Sequence, residues 1–297
     1  MIINSANLEA LRVAFNASFK RGLEQAESQY GRIATTVPSS TKENRYGWLG
    51  KMPNMREWIG ARVVHGIAEH DYSIKNKPFE LTIGVDRDDI EDDNIGVYDP
   101  MFVEMGESVA AHPDQLVWEL LAAGFATECY DGQYFFDTDH PVLDKDGNPA
   151  TVSNFQGGSG TPWYLLNTKR SLKPLIFQER KTPMFVAKDK VTDDNVFSRK
   201  EYVYGTESRC NVGFGFWQMA YASRQTLNAA NFASARQAMM SLKGDYGRPL
   251  GIKPDLLIVP PSLEDEAEEI LKADRNAAGA TNTQKGKTEL LVVPWLA

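Results

Sequence analysis

The stretch that most limits what this chain can become is residues 99 to 128, DPMFVEMGESVAAHPDQLVWELLAAGFATE. Apolar side chains recur at Phe102, Met105, Val109, Leu116 and Leu120, with Val117, Leu121 and Phe125 beside them. Steps of three, four, seven and four trace one face of an α-helix of period 3.6. At 1.5 Å per residue a continuous helix here is about 40 Å long. Pro113 lies inside it. Proline lacks the amide donor and crowds the preceding turn, so the helix bends or restarts there. The other reading is two shorter helices with Pro113 as the first residue of the second. Both give a long apolar-faced rod in the first half of the chain, with sheet-like segments on either side.

Before the rod, residues 5 to 26 read as an amphipathic helix, with Leu8, Leu11, Phe15, Phe19 and Leu23 on one stripe. Asn7 can cap its start, and Glu9 suits the positive first turn. Residues 30 to 60 are broken by Gly31, Pro38, Gly47, Gly50, Pro53 and Gly60, yet hold Tyr46, Trp48 and Trp58. Large aromatics on a long loop are uncommon in a compact monomer and less odd under a neighbouring subunit. The alternative is a loop folded over its own core. In KPFELTIGVD, Phe79, Leu81, Ile83 and Val85 alternate with Glu80, Thr82, Gly84 and Asp86, which is a strand with one buried face. ARVVHGIA and HDYSI are weaker strand candidates upstream, so residues 45 to 86 read as a hairpin-like excursion. The acidic run Asp86 to Asp93 reads as a solvated face or a first helical turn.

After the rod, residues 130 to 162 are rich in turn signals, notably Asp144-Lys145-Asp146-Gly147 and Gly157-Gly158-Ser159-Gly160. They form the boundary to a second domain. Strand-like pieces follow at Met184–Ala187, Tyr202–Tyr204 and Val212–Tyr221. Glycines alternating with Val212, Phe214 and Phe216 imply another element packed close over that strand. Residues 229 to 243 read as a helix capped by Asn228 and ended by Gly244. Leu256 to Val259 is continuously apolar, a strand buried on both faces. Pro260-Pro261 stops it, and Ser262 with Asp265 has the spacing of a capping box for the next helix. A polar tract, 276 to 288, leads to a last strand in ELLVVPWLA.

Charge and motif exclude most chemistries. The net charge of −8 and a pI near 5.2 argue against a nucleic-acid-gripping surface, which needs clustered Lys and Arg. No apolar run reaches membrane-spanning length, and the N-terminus lacks a basic region followed by an apolar block. Cys129 and Cys210 form neither a disulfide framework nor a zinc spacing, and read as buried thiols. GxSxG, HExxH, paired CxxC and GxGxxG are absent, and Gly286-Lys287-Thr288 lacks the upstream glycine of a phosphate loop. The one enzyme-like constellation is Asp137, Asp139, His140, Asp144 and Asp146, whose carboxylates and imidazole could hold a divalent metal and activate water. The same residues also suit a structural turn.

Six stretches carry a resemblance to a known family: NKPFELTIGVDRDDIEDDNIGVYDP (76 to 100), HPDQLVWELLAAG (112 to 124), YDGQYFFDTDHPV (130 to 142), LIFQERKTPMFV (175 to 186), GFGFWQMAYAS (213 to 223) and PDLLIVPPSLEDEAEEIL (255 to 271). Together, and in order, they resemble the major head subunits of Mu-like tailed phages and prophages. The resemblance implies an α+β chain with the Hong Kong 97-like capsid fold. It implies an N-terminal arm at 1–44, an extended loop at 45–86, and a peripheral domain at 87–159 around a spine helix, 99–128. An axial domain at 160–275 and a return to the periphery at 276–297 complete it. A few residues beyond Ala297 would be expected, and scaffolding would be a separate protein, since no long helical segment precedes the arm. No covalent cross-link is assigned, although Lys51, Lys75 and Lys77 are available.

The implied function is a non-catalytic shell subunit of the virion, made in the host bacterial cytoplasm. It would assemble with itself into pentamers and hexamers, and with scaffolding, portal and decoration proteins, around DNA it does not read. No cofactor is expected. Phe15, Phe19, Trp48 and Trp58 are the expected subunit contacts, and Pro113 the expected hinge. An encapsulin-like nanocompartment and a metal-dependent hydrolase using residues 137 to 146 are the alternatives.

Overall fold

The structure is a computed structural model, and it describes residues 2–49, 72–275 and 278–297. In chain order the elements are α1 (Ser5–Gln25), β1 (Ala34–Pro38), β2 (Glu43–Arg45), β3 (Ser73–Lys75), β4 (Lys77–Asp86), α2 (Arg87–Glu91) and α3 (Asp99–Ala122). Then come β5 (His140–Leu143), β6 (Pro149–Val152), β7 (Phe155–Gly158), β8 (Trp163–Leu166), β9 (Leu175–Lys188), α4 (Asp194–Arg199) and β10 (Glu201–Phe214). The chain finishes with β11 (Ala220–Arg224), α5 (Ala229–Met240), β12 (Lys243–Gly244), β13 (Arg248–Pro249), β14 (Leu256–Val259), α6 (Glu264–Lys272) and β15 (Glu289–Val292).

Two sheets carry the architecture. One has the order β1-β9-β10-β4, with β1 parallel to β9 and the other pairs antiparallel. The other has the order β15-β14-β8-β11-β7. The strand at 77–86 forms over its expected length, and Leu256 to Val259 is buried at every position between β15 and β8. β9 and β10 are 14 residues each, much longer than the pieces at 184–187 and 202–204. Pro183 has no amide to donate, and the β9–β10 register slips beside it, between Glu207 and Arg209. Gly213 is needed where β3 crosses: a Cβ there would lie 2.2 Å from the Ile74 side chain.

The rod is one helix, α3, with Pro113 inside it. It stops at Ala122 rather than continuing to Glu128. The chain tightens into a 3₁₀ turn at Ala123–Phe125, and Phe136 closes over Gly124, where a Cβ would come within 2.8 Å of its ring. Three cap expectations are corrected. Asn4, not Asn7, caps α1, accepting from the Asn7 amide at 2.9 Å. The helix after Asn228 ends at Met240, capped by Ser241 before Gly244 is reached. Ser262 sits in a 3₁₀ turn ahead of α6 and makes no cap bond.

Buried side chains form two cores. The larger surrounds the five-stranded sheet and takes in Val117, Trp118 and Leu121 from the second half of α3. The smaller holds Leu8, Leu11, Phe15 and Phe19 of α1 against Tyr98, Phe102 and Met105, with Val85, Tyr202 and Tyr204 from the first sheet. Pro113 therefore sits between the half of α3 that serves one core and the half that serves the other. The last strand, β15, lies at the edge of the five-stranded sheet. The turn after it, Pro294–Leu296, packs on α3.

Candidate functional site

The arm and the spine fit together through glycine. At Gly22 a Cβ would stand 2.0 Å from the Val103 carbonyl oxygen, and at Gly106 2.1 Å from that of Phe19. Only bare backbone on both helices allows this approach. It brings the Phe15 ring to 4.2 Å from Phe102, stacked, and to 5.2 Å from Tyr204, edge-on; Phe19 lies 5.6 Å from Phe185. Phe15 and Phe19 are 4% and 2% exposed within a single chain. This corrects the expectation that they anchor contacts between subunits, because almost none of their apolar surface is left for a second chain.

Trp48 is placed differently. It is 43% exposed, with Tyr46 at 6.0 Å and Phe216 at 6.1 Å as edge-to-face neighbours. Its indole leans on the larger core and keeps an open face. Trp58 lies outside the described residues, as does ARVVHGIA. Some of the other open apolar side chains lie on the first sheet and its hairpin. Met184 and Val186 point off the outer face of β9, and Phe197, at the tip between β9 and β10, is 91% exposed.

The metal-loop residues do not converge. Asp144 is a turn residue: its carboxylate accepts from the Asp146 and Asn148 amides, each at 2.8 Å, and Gly147 takes the left-handed conformation. Those bonds from Asn148 hold Asp144 below the ordinary carboxylate range. Asp146 is exposed beside Lys145, while Asp139, hydrogen bonded to Asp137, is held above the ordinary range. His140 instead is buried, stacked on Trp217 at 4.0 Å, with Nδ1 at 2.8 Å from Asp131 and Nε2 at 3.2 Å from Asn154.

Among the described residues, the metal-type ligand atoms that do gather within 4.8 Å are those of Cys129, Asp131 and His140. Their geometry is that of a hydrogen-bond network. The Cys129 thiol donates to one oxygen of Asp131 at 3.0 Å while His140 holds the other. Burial pushes the Cys129 thiol up, so it stays protonated. Burial opposes ionisation of Asp131, but the bonds from His140 and Cys129 outweigh it and hold its carboxyl below the ordinary range.

Three buried polar residues that periodicity passes over fix the site. Asp114, one residue after Pro113, accepts from the Gln29 and Tyr30 amides at 2.9 and 2.6 Å, from Ser28 Oγ at 2.6 Å and from Trp118 Nε1 at 3.2 Å. It ties the chain leaving α1 to the spine. Gln178 accepts from the Tyr46 hydroxyl at 2.8 Å and donates to the Ile74 carbonyl at 2.9 Å, clamping the root of the excursion. Asn154 donates to the Phe135 carbonyl at 2.7 Å and accepts from the Asp137 amide at 2.9 Å. Apolar Asp114 neighbours were legible, but the partners some 85 residues away were not.

This architecture is that of a shell-forming protein of tailed phages. The chain superposes on a subunit of the procapsid of bacteriophage JBD30 with a TM-score of 0.87 and 50% identity, covering 99% of this chain and 100% of that one. The subunit of the JBD30 capsid matches at a TM-score of 0.80 and 37% identity over 100% of both chains. The fold is therefore the Hong Kong 97-like capsid fold. The family model described as Mu-like prophage major head subunit gpT matches residues 8–296, and the chain belongs to that family. It is 46% identical to the major capsid protein of Escherichia phage Mu over 305 aligned positions, 100% of both chains. It is 47% identical to the Mu-like prophage FluMu major head subunit of Haemophilus influenzae, over 91% of this chain and 90% of that one. The family is one of structural shell subunits of the virion, and neither the nanocompartment nor the hydrolase alternative is favoured. No helix among the described residues is long and apolar enough to cross a membrane.

Proposed function

We propose that this chain forms the pentamers and hexamers of an icosahedral head around double-stranded DNA, without catalysis. The observation that carries the reading is the pairing of this fold with apolar side chains left open on one chain: Trp48 near the start of the excursion, Met184 and Val186 on β9, and Phe197 at the hairpin tip. Residues 1–44 serve as the arm, 45–86 as the extended loop, 87–159 and 276–297 as the periphery, and 160–275 as the axial domain. Trp48 and Trp58 are contacts to neighbouring copies. The net charge of −8 keeps packaged DNA from adhering.

Scaffolding and portal are separate proteins in this reading. Decoration by a minor capsid protein is a further partner class, as the JBD30 capsid decorated with minor capsid protein trimers suggests by a TM-score of 0.78 and 37% identity. Negative-stain microscopy of the expressed chain, with and without its neighbouring genes, should show closed shells. A monodisperse single chain under every condition would end the reading. Pro113, between the two cores, serves as the hinge when the shell matures. Pro113→Ala should restore the missing helical hydrogen bond and shift the ratio of compact to expanded particles by sedimentation. Unchanged maturation would remove the hinge from the account.

A further inference from the structure

Between Arg87 and Lys145 the chain has no Lys or Arg but fifteen Asp and Glu, so the rest of the chain carries a net positive charge. Several of these acids are matched in the fold: Asp88 by Lys200, Glu91 by Arg87 and Asp99 by Arg21. Glu104 and Glu107 have no ion pair among the described residues. They stand three apart on α3, where like charges repel and weaken the helix. Both line a groove of about 370 Å³ with Ala26, Ser108, His112 and Trp295.

Two independent features make that groove a cation's environment. Ala26 is the C-terminal cap of α1, a 21-residue helix with no basic residue in its last turn. Its last carbonyls therefore present the negative end of the helix dipole without a countercharge. Trp295, 49% exposed, forms another wall, and an indole face attracts ammonium and guanidinium groups. Two carboxylates, a helix C-terminus and an indole thus gather at one opening.

We propose that this groove accepts a Lys or Arg side chain from a second copy of this chain. The inference rests on the shell-subunit reading. A second copy is the occupant because the chain outside this stretch supplies the complementary charge and copies meet at high density in a shell. The contact joins the arm, the spine and the C-terminal turn of one subunit to its neighbour. It neutralises a repulsion that the isolated subunit retains.

The test compares the full-length chain with Glu104→Gln/Glu107→Gln, and with Trp295→Leu, in assembly reactions containing the same partner proteins. The dispersed glutamine variant should melt no lower than the parent, since repulsion is removed. Its critical concentration for shell formation should rise about tenfold at low salt, with the gap closing as salt is raised. Trp295→Leu should shift it in the same direction, and Glu104→Asp/Glu107→Asp should recover most of the loss. Equal critical concentrations at all salts overturn the contact. So does stabilisation of the dispersed parent, but not of the glutamine variant, by spermidine while assembly ignores both substitutions: the cation would then be a free polyamine. If the parent itself forms no shells, the failure lies with the shell reading.

Discussion

The two cores of this molecule are built by opposite means. The larger is a sheet covered by helices, with Trp163 to Leu166 and Leu256 to Val259 buried at every position and α5 packed on β11. Its five strands are drawn from residues 155 to 292, with β9 and β10 leaving that run to join the other sheet. The smaller core is a clamp of α1, the first half of α3 and the ends of β4, β9 and β10, closed by aromatic stacking. One face of its sheet is left open, with Met184 and Val186 outward. A region covered on all sides holds the subunit together, and a region covered on one side leaves apolar side chains open.

Truncation separates the two most sharply. Trp163→Ala should cost about 4–5 kcal/mol and abolish soluble expression, whereas Phe102→Ala should cost about 3 kcal/mol. Denaturant melts followed by indole fluorescence should show the arm released first in the Phe102 variant. A single coincident transition in both would merge the two cores into one. Next in size is Gly106→Val, which pushes a side chain into the Phe19 carbonyl and should cost about 2–3 kcal/mol by overpacking. Protease nicking near residues 26 to 30 would report the loosened arm.

Asp114→Ala leaves its donors without an acceptor and should cost about 2 kcal/mol, exposing the joint between arm and spine to hydrogen exchange. The smallest effect concerns pH. His112 packs edge-on to Phe79 at 4.3 Å, and burial lowers its pKa from 6.5 although Glu119 opposes this. Its folded-state pKa is below the unfolded one. The contribution is therefore complete above 6.5 and declines as pH falls beneath it. His112→Phe should flatten that part of the stability profile measured by thermal melts.

Much of this was readable from local pattern. The first half of the α3 stripe, the alternation of 77–86 and the apolar run 256–259 report the face each element buries, because periodicity is set by the geometry of helix and strand. The second half of α3 instead buries Val117, Trp118 and Leu121 more deeply than the expected Leu116 and Leu120. The failures were local too where two residues compete for one role: Asn4 and Asn7 both suit a cap, and the fold uses the earlier one. The error on Phe15 and Phe19 is more instructive. Their spacing says that they are buried and is silent about whether the cover is the same chain or another. Asp114, Asn154 and Gln178 left no periodic trace at all, since a buried polar residue is explained only by partners folding brings to it.

The sequence by itself determined the elements, the acidic balance and, through its resemblance, the family, because these reside in neighbouring residues or in the order of whole segments. The tertiary structure decided which helices touch, where Gly22 and Gly106 let backbones meet, which aromatics remain open, and that His140 serves a buried network rather than a metal loop. Those outcomes depend on distances between residues far apart in the chain, which no local pattern encodes.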